Sequence, residues 1–380
     1  VSEKNKIFRS IGEKEKRKNR GKGGKGSSAG AILENIRAGW YLWLFTLPVM
    51  LDTFYQVSVV GILWNLVAIP LLPVIIASGG LGVVLAGWNI FLGSLAGSPA
   101  YGMLQLYQEI GNISEKLPVG MWTPGQPSKP VIAGYYLVIF LLVLVEKQLI
   151  KREKRWKIRK IFPGMELCSM LLLLLLMAHP WQQREKITFL DVGQGDASLL
   201  QSGGQTLLLD GGSTSQKNVG TYVILPYIKQ QGISCLEAVV LTHTDQDHIS
   251  GVQEILEMAV KKLNSVKLGC LYLPEWENPP AAWEKLKQTA KAAGIPVRTL
   301  KEGDCLNAGK LQLQIIAPAV SASGADVNED GMVIKVKYEE FLGLLTGDIG
   351  EETEKKLLEL GLLEDVDFLK VGHHGSHYST

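Results

Sequence analysis

The sequence predicts a multi-pass α-helical membrane region followed by a layered α/β sandwich domain. From Trp40 to Gln108 the only charged residue is Asp52, whereas about a quarter of the residues of a soluble domain are charged. Residues 1–186 hold 23 Lys and Arg against 11 Asp and Glu, a balance of +12, and residues 187–380 hold 16 against 26, a balance of −10. After Trp181 short β-type runs alternate with helical stretches, which is typical of a layered α/β fold.

Composition excludes several classes of protein. The long uncharged stretch excludes a fully soluble chain and a disordered one. The four cysteines lie singly, so neither a cysteine-zinc module nor a disulfide scaffold is indicated. Because the chain begins at Val1 within a basic stretch and ends at Thr380 directly after a histidine cluster, we expect an internal fragment whose second domain is truncated at its C-terminus.

The first 181 residues predict a basic loop and then helices. Residues 1–39 are basic and Gly-rich without periodicity, which indicates a solvated cytoplasmic loop. Residues 40–181 predict about five membrane-crossing helices, since each apolar segment approaches the roughly 20 residues that a crossing requires. One or two of the first three segments are alternatively re-entrant. In order, the segments are 40–60, 61–78, 81–98, 131–145 and 161–178.

Basic residues predict the orientation of these helices. The clusters at 1–39 and 147–160 are both expected in the cytoplasm by the positive-inside rule. Three crossings lead out, the fourth returns, and the fifth leads out again. Residues 182–380 are therefore expected on the extracytoplasmic side.

Residues 182–380 predict strands and helices in alternation, with a meander first. The predicted strands are Ile187–Leu190, Ala197–Gln201, Gln205–Asp210, Ala238–Leu241, Leu271–Leu273, Leu311–Ala317, Met332–Tyr338, Phe341–Thr346 and Val366–Val371. The predicted helices are Val219–Gln231, Val252–Leu263, Ala281–Ala293 and Glu351–Leu360.

Five of the six histidines lie in two clusters, and the first cluster has metal-ligand spacing. It reads His243-Thr-Asp245-Gln-Asp247-His248 and follows an apolar strand. Alternate residues of an extended or tightly turned segment project to one side, so His243, Asp245 and Asp247 can converge, and His248 opens the helix that follows. Four imidazole and carboxylate donors within six residues are what one or two divalent cations require.

These residues, with Asp348 and the histidines of the Lys370–Ser376 segment, resemble the motifs of the metallo-β-lactamase superfamily. The segments Leu190–Asp196 and Leu209–Gly212 resemble the version found in ComEC-type DNA-uptake proteins of competent bacteria, and the preceding helices are similar to the end of that family's membrane channel. The resemblance covers residues 40–380. It implies an αββα sandwich for residues 182–380.

The resemblance also implies a site with two divalent metal ions, in which Asp348 bridges the two. Asp247 is the candidate to hold the attacking water or the second metal, and His248 is the second candidate catalytic residue. Whether His373 or His374 completes the second site is left open, and His377 is interpreted as a surface residue. The implied metal ligands are His243, Asp245, Asp247, His248, Asp348, His373 and His374, and the implied supporting residues are Asp210 and Ser376.

The sequence departs from the common superfamily motif at Asp245, where most members carry His. Carboxylate in place of imidazole makes the site harder and richer in oxygen, which favours Mn²⁺ while Zn²⁺ and Mg²⁺ remain compatible. A further superfamily histidine is replaced here by the segment 328–331. Gly331 and Gly372 stand where relatives tend to carry Ser and Pro, and neither change removes a predicted ligand.

Three further aspartates lie beside glycines at strand ends. For Asp191, Asp196 and Asp210, formation of a turn is the favoured interpretation over catalysis. The resemblance makes them supports of the metal loop, and we retain Asp210 alone as a predicted supporting residue.

The leading functional hypothesis is a DNA-uptake channel of the bacterial inner membrane whose outer domain is a metal-dependent nuclease. One DNA strand would pass through the channel while the other is degraded, and other competence proteins and a second copy of the chain are candidate partners. The alternatives are a membrane-anchored hydrolase of a small ester or phosphoester, since fold does not fix function, and a non-catalytic channel domain. A net charge of −10 on residues 187–380 opposes binding of a polyanion, so we expect DNA to be held mainly elsewhere.

Overall fold

The structure is a computed structural model that describes residues 28–58, 60–116, 121–151, 185–319, 322–363 and 365–375. These residues divide into two compact units. One lies within 1–47 and 58–117, and the other within 48–57 and 118–380.

The first half of the described chain is helical. Its helices are α1 (Ser28–Phe54), α2 (Gly61–Ala86), α3 (Ile90–Lys116) and α4 (Lys129–Lys151), with two-residue strands β1 (Val57–Ser58) and β2 (Met121–Trp122). The predicted break between 78 and 81 is wrong, because α2 continues through Gly79 and Gly80. The break falls instead at Asn89, whose side chain accepts a hydrogen bond from the backbone N–H of Phe91 (2.9 Å) and so begins α3.

Helices α2 and α3 pack as a hairpin through their glycines. A Cβ atom added to Gly82 would lie 3.0 Å from the backbone of Gly97, and one added to Gly93 would lie 2.5 Å from the Cβ of Ala86. The absence of side chains at these positions lets the two helix backbones approach closely, as in helix pairs of membrane proteins. The apolar side chains of both helices, including Ile76 and Val83, point outward and are exposed.

One helical stretch of the described residues, Ala68–Ala86, is long and apolar enough to cross a membrane, and Leu42–Phe54 and Lys129–Leu141 are shorter apolar stretches. Among the described residues, one of the predicted membrane-crossing helices is therefore supported, and the multi-pass arrangement stays a prediction. The predicted fifth segment, 161–178, lies outside the described residues, as do most of the basic residues of 1–39 and 147–160.

Residues 185–375 form two β-sheets. The six-stranded sheet runs in sequence order from β3 to β8, antiparallel through its first three strands and parallel from β5 onward. Its strands are β3 (Lys186–Phe189), β4 (Ser198–Ser202), β5 (Gln205–Leu209), β6 (Cys235–Val240), β7 (Lys267–Pro274) and β8 (Val297–Leu300).

The five-stranded sheet has the order β13-β12-β11-β10-β9 and is antiparallel except for the parallel pair of β12 and β13. Its strands are β9 (Cys305–Ala308), β10 (Leu311–Ala317), β11 (Val333–Tyr338), β12 (Phe341–Leu345) and β13 (Phe368–Lys370). Strands β8 and β9 have no counterpart among the predicted elements.

Helices cover both sheets. They are α5 (Leu225–Gln230), which a turn of π-helix at Gly220–Ile224 precedes, α6 (Gln246–Val260), α7 (Ala281–Ala292) and α8 (Glu351–Glu359). The prediction placed the helix at Val252–Leu263 with His248 opening it, whereas the helix begins directly after Asp245. The metal-ligand motif therefore runs into the first turn of a helix.

Alternation along the strands produces the layers. In β4, Leu199 packs against the helices outside the six-stranded sheet, and Leu200 packs against the other sheet. On the second sheet, Ile334 faces inward, while Val333 faces outward and packs with Leu357 of α8. This period of two gives apolar contacts to both faces of each sheet. The predicted α/β sandwich is confirmed.

Candidate metal centre

The predicted site residues follow strands whose carboxyl ends meet at one edge of the sandwich. Asp210 follows β5 and His243 follows the parallel neighbour β6, while Asp348 follows β12 and His374 follows its parallel neighbour β13. The two edges are joined where the backbone N–H of Met332 donates to the carbonyl of Thr242 (2.8 Å). Parallel pairing within each sheet, with this contact between the sheets, therefore brings together residues that lie up to 164 positions apart in sequence.

His248 lies at the centre of this cluster and is fully buried. Its Nδ1 is 3.0 Å from Asp210 Oδ2. Its Nε2 faces the other way, 3.2 Å from Asp348 Oδ2 and 3.8 Å from Asp196 Oδ2. The ring is thus held on one side by a carboxylate and presents its second nitrogen to the cluster.

His243 is also fully buried, and its ring lies 4.0 Å from that of His248 between centroids. Its Nδ1 is 3.0 Å from Thr242 Oγ1, and that hydroxyl donates its hydrogen to Asp210 (2.8 Å). Because the hydroxyl hydrogen is used, His243 Nδ1–H is the donor to Thr242, which leaves Nε2 with its lone pair. Nε2 lies 3.9 Å from Asp245 Oδ2.

His374 completes the open side of the cluster. Its Nε2 lies 3.3 Å from Asp348 Oδ2 and 3.5 Å from Asp247 Oδ2. His373 and His374 both have positive φ, 48° and 55°, a strained conformation for residues other than glycine. His374 belongs to a group of metal-ligand atoms that lie within 4.8 Å of one another, and His373 is outside that group.

Asp196 is the member of this group that sequence reasoning undervalued. The sequence favours a turn role for Asp196, yet its carboxylate lies in the group of four with the imidazoles of His248 and His374 and the carboxylate of Asp348. It is 9% exposed and contacts the ammonium group of Lys370. Its position in the sequence, directly after Gly195, does not indicate that it lies in the cluster, because its contact with Lys370 comes from the opposite sheet.

Asp210 supports both central histidines. It accepts hydrogen bonds from the backbone N–H of Thr242 and from its hydroxyl, both at 2.8 Å, besides its contact with His248. Asp191, by contrast, accepts from the N–H of Gly193 (3.2 Å) in an exposed turn. Ser376 and His377 lie outside the described residues.

Two glycines let the loop of residues 191–196 lie against the start of α6. A Cβ atom at Gly195, where φ is 154°, would lie 2.6 Å from the carbonyl oxygen of Asp247, and one at Gly212 would lie 2.5 Å from the backbone nitrogen of His248. The backbone N–H of Asp196 donates to Asp247 O (2.9 Å), and that of Gly212 donates to Asp196 O (2.9 Å). These contacts fix the first turn of α6, and with it Asp247 and His248.

Burial and neighbouring charges shift the pKa values of the two buried imidazoles in opposite directions. The pKa of His243 is lowered to about 4, because burial disfavours the charged ring and His248 repels it. Burial also lowers the pKa of His248, but Asp210 and Asp348 outweigh it and raise that pKa to about 10. Without a metal, His248 therefore carries a positive charge at neutral pH, and a metal that binds it must displace a proton.

The carboxylates respond to the same charges. Burial raises the pKa of Asp348, but His248 and His374 hold it well below its usual range. The His374 hydrogen bond lowers the pKa of Asp247, and Asp247 and Asp348 in turn raise the pKa of His374 to about 9. Burial raises the pKa of Asp196 and Asp245. Such perturbed groups in one cluster are typical of a functional site.

The donor atoms fit a metal. His243 Nε2, His248 Nε2 and Asp348 Oδ1 are buried and form no hydrogen bond within the described residues. Buried polar atoms are normally satisfied, so three such atoms in one cluster require an explanation. Divalent cations take neutral imidazole nitrogens and carboxylate oxygens, with the second ring nitrogen held by a carboxylate or hydroxyl, as Asp210 and Thr242 hold it here.

An αββα sandwich with this histidine and carboxylate cluster at its edge defines a metallo-β-lactamase-like protein. A family model described as metallo-beta-lactamase superfamily matches residues 190–380, and a model described as competence protein matches residues 10–149. The metallo-beta-lactamase model covers half of the chain, so the chain belongs to the metallo-β-lactamase superfamily. The competence region that precedes it supports a ComEC-type competence protein. The superfamily fold indicates a metal-dependent hydrolase, and competence proteins of this family are membrane-associated.

Curated relatives match the chain over both regions. The chain is 29% identical to ComE operon protein 3 of Bacillus subtilis over 356 residues, which cover 89% of the chain and 43% of that protein. It is 29% identical to Recombination protein 2 of Haemophilus influenzae over 367 residues, which cover 89% of the chain and 42% of that protein. The chain thus spans less than half the length of these relatives.

Solved structures match the sandwich only distantly. The metallo-β-lactamase MIM-2 is 16% identical with a TM-score of 0.33, over 48% of this chain and 71% of that protein. The metallo-β-lactamase SMB-1 is 15% identical with a TM-score of 0.34, over 50% of this chain and 76% of that protein.

Proposed function

We propose that the protein is a DNA-uptake channel of natural competence whose sandwich domain hydrolyses DNA phosphodiester bonds and degrades the strand that is not transported. The observation that carries the proposal is the set of three buried donor atoms without hydrogen bonds, on His243, His248 and Asp348, in a chain of a competence family. Each such atom costs about 1–3 kcal/mol when it is buried without a partner, and a bound metal ion would remove that cost.

We assign two divalent cations to the cluster. His243 and Asp245 would hold one of them, and Asp247, His248 and His374 the other. Asp348 would help to hold the metal pair, because its Oδ2 contacts His248 and His374 and its buried Oδ1 forms no hydrogen bond within the described residues. His373 is left outside this set. The three carboxylates make the site rich in oxygen, so we expect Mn²⁺ to support activity best, with Zn²⁺ and Mg²⁺ as the other candidates.

When bound, the metal pair would lower the pKa of a water molecule and offset the charge of the phosphate oxygens. The chain's own residues provide orientation. Asp247 is 19% exposed and ionised, so its carboxylate can accept a hydrogen bond from the attacking water. Asp210 fixes the ring of His248 directly and that of His243 through Thr242.

The membrane region gives the proposed reaction its setting. The apolar helix at Ala68–Ala86 and the basic clusters support a multi-pass protein of the bacterial inner membrane, with the sandwich domain on the extracytoplasmic side. One strand of incoming DNA would pass through the channel. The partners would be DNA, other competence proteins and, as a homo-oligomer, further copies of the chain.

A nuclease assay tests the proposal. The purified full chain with Mn²⁺ should degrade linear DNA, and a chelator should stop it. Asp247→Ala should lower kcat by about a thousandfold or more, because it removes both a ligand and the water's hydrogen-bond partner. The matched control is Asp191→Ala, which removes an exposed turn aspartate and should leave the rate within about twofold.

Two results would contradict the proposal. Equal cleavage by wild type and Asp247→Ala would show that DNA is not cleaved at the assigned site. A wild type that hydrolyses a small phosphoester but leaves DNA intact would replace the nuclease by a hydrolase of small substrates. Protease accessibility of residues 187–380 in intact cells tests the orientation, and a domain that is cut only after lysis would lie in the cytoplasm.

A further inference from the structure

The proposed nuclease has an electrostatic difficulty at its own site. Five aspartates surround the central histidines, namely Asp196, Asp210, Asp245, Asp247 and Asp348. Two divalent cations would offset about four negative charges. A DNA phosphate that enters such a site needs a cationic contact, since phosphate contacts supply most of the affinity for nucleic acids.

Lys370 brings a cation to this site. It is the last residue of β13, and its ammonium group contacts Asp196 Oδ2, with the two side chains only 16% and 12% exposed. Asp196 Oδ2 in turn lies 3.8 Å from His248 Nε2. A lysine is seldom buried to this extent unless it is paired, so the pair has a defined place at the edge of the cluster.

The ion pair is not required to hold either backbone. Asp196 is already fixed by two hydrogen bonds of its main chain, one to Asp247 and one to Gly212 (both 2.9 Å). Lys370 is held by its pairing with Leu345 in the sheet and by a hydrogen bond from the Thr346 hydroxyl to its carbonyl (2.7 Å). What the pair determines is therefore the direction of the ammonium group.

Asp196 also differs from the assigned ligands. The nitrogen atoms of His243 and His248 that face the cluster are without hydrogen bonds, whereas Asp196 Oδ2 is taken by Lys370. An ammonium group has three N–H donors, and Asp196 takes one of them. The remaining donors are available to a ligand on the open side of the cluster, where the His374 side chain is 30% exposed.

We infer that Lys370 contacts a non-bridging oxygen of the scissile phosphate, and that Asp196 is the positioning residue that aims its ammonium group instead of a metal ligand. This inference rests on the proposed function, of which it specifies the substrate contact. It also explains how an acidic domain accepts a phosphodiester, since one fixed cation lies beside the metal cluster.

The test uses the full chain with its metals and inorganic phosphate as the probe. Lys370→Met should keep the number of Mn²⁺ ions bound per chain and weaken phosphate binding by about tenfold or more, the worth of one charge-assisted hydrogen bond. Lys370→Arg should retain most of the affinity. Lys337→Met removes an exposed lysine of β11 on the same sheet and should change nothing.

Asp196→Asn tests the positioning role. It should keep the Mn²⁺ stoichiometry and weaken phosphate binding, but less than Lys370→Met does. The double variant should bind phosphate as weakly as Lys370→Met alone, because the aspartate acts through the lysine. A loss of one Mn²⁺ ion in Asp196→Asn would make Asp196 a ligand and overturn its assignment.

The outcomes separate this inference from the proposed nuclease. Phosphate binding that is equal in wild type and Lys370→Met overturns the inference, even if wild type cleaves DNA. Lys370-dependent phosphate binding by a chain that does not cleave DNA would contradict the nuclease and leave the contact in place. In another outcome, Lys370→Met lowers the thermal midpoint while both Lys370→Met and Lys370→Arg keep the phosphate affinity of wild type. That result would show that the ion pair of Lys370 and Asp196 only stabilises the fold.

Discussion

The helical hairpin of residues 61–116 and the sandwich of residues 185–375 distribute polar and apolar groups in opposite ways. In the hairpin, apolar side chains such as Ile76 and Val83 are 66% and 77% exposed, and glycines mediate the helix contact. In the sandwich, apolar side chains fill the layers, and His243 and His248 are 0% exposed. The hairpin is suited to an apolar solvent, and the sandwich to water and to a metal at its edge.

The largest expected effect concerns titration, which should alter the sandwich alone. In the metal-free chain, the free energy of unfolding of the sandwich should be greatest near pH 6.5, the unperturbed pKa of histidine. The folded pKa of His248 is raised to about 10, so its contribution is complete below pH 6.5 and is lost as the pH rises through 10. The folded pKa of His243 is lowered to about 4, so stability is lost as the pH falls from 6.5 toward 4.

Calorimetry of the chelator-treated chain across this pH range measures the effect, which is on the order of several kcal/mol. His248→Gln should remove a large part of the alkaline loss and leave the acidic one, while His374, whose pKa is raised to about 9, accounts for the remaining alkaline loss. The helical hairpin has no histidine, so its transition should be unchanged between these pH values. A sandwich whose midpoint rises steadily toward alkaline pH would contradict the assigned charge of His248.

A lysine on the exposed surface of each region sharpens the comparison. Ile76→Lys should destabilise the helical region by about 3 kcal/mol in a bilayer, because the side chain would face lipid near the centre of Ala68–Ala86. Tyr222→Lys is the matched control in the sandwich, where the 71% exposed ring faces water, and should cost less than about 0.5 kcal/mol. The recovery of the chain in membranes and its thermal midpoint measure the effects of both variants. Equal effects would contradict the distinction between a lipid-facing hairpin and a water-facing sandwich.

The smallest effect comes from a methyl group at the helix contact. Gly82→Ala should destabilise the hairpin by about 1–3 kcal/mol, because the new Cβ atom would lie 3.0 Å from the backbone of Gly97. Gly80→Ala, where a Cβ atom meets nothing within 4 Å, should stabilise the helix by about 1 kcal/mol. A thermal midpoint that rises in both variants would show that α2 and α3 are not packed through Gly82.

Local patterns predicted the layers of the sandwich, because alternation places Leu199 and Leu200 on opposite faces whatever the rest of the chain does. They placed the start of α6 at His248 instead of Gln246, since that turn depends on contacts with Gly195 and Gly212 that come from other loops. They likewise predicted a break at Gly79 and Gly80, although the helix α2 continues through both residues.

The site was predictable where its ligands are close in sequence. The spacing of His243 and His248 indicated a metal by itself, whereas the choice of His374 over His373 depends on two residues with positive φ after β13. The place of Asp196 was missed for a related reason. Its partner Lys370 lies 174 positions away, and only the pairing of the two sheets brings them together.

Equilibrium binding of Mn²⁺ tests the central claim most directly. The wild-type chain should bind two ions, and Asp348→Asn should lose at least one of them, because the Asp348 carboxylate has a buried oxygen without a hydrogen bond and contacts both His248 and His374. A wild type that binds no ion, or an Asp348→Asn variant that binds two ions as tightly as wild type, would contradict the account.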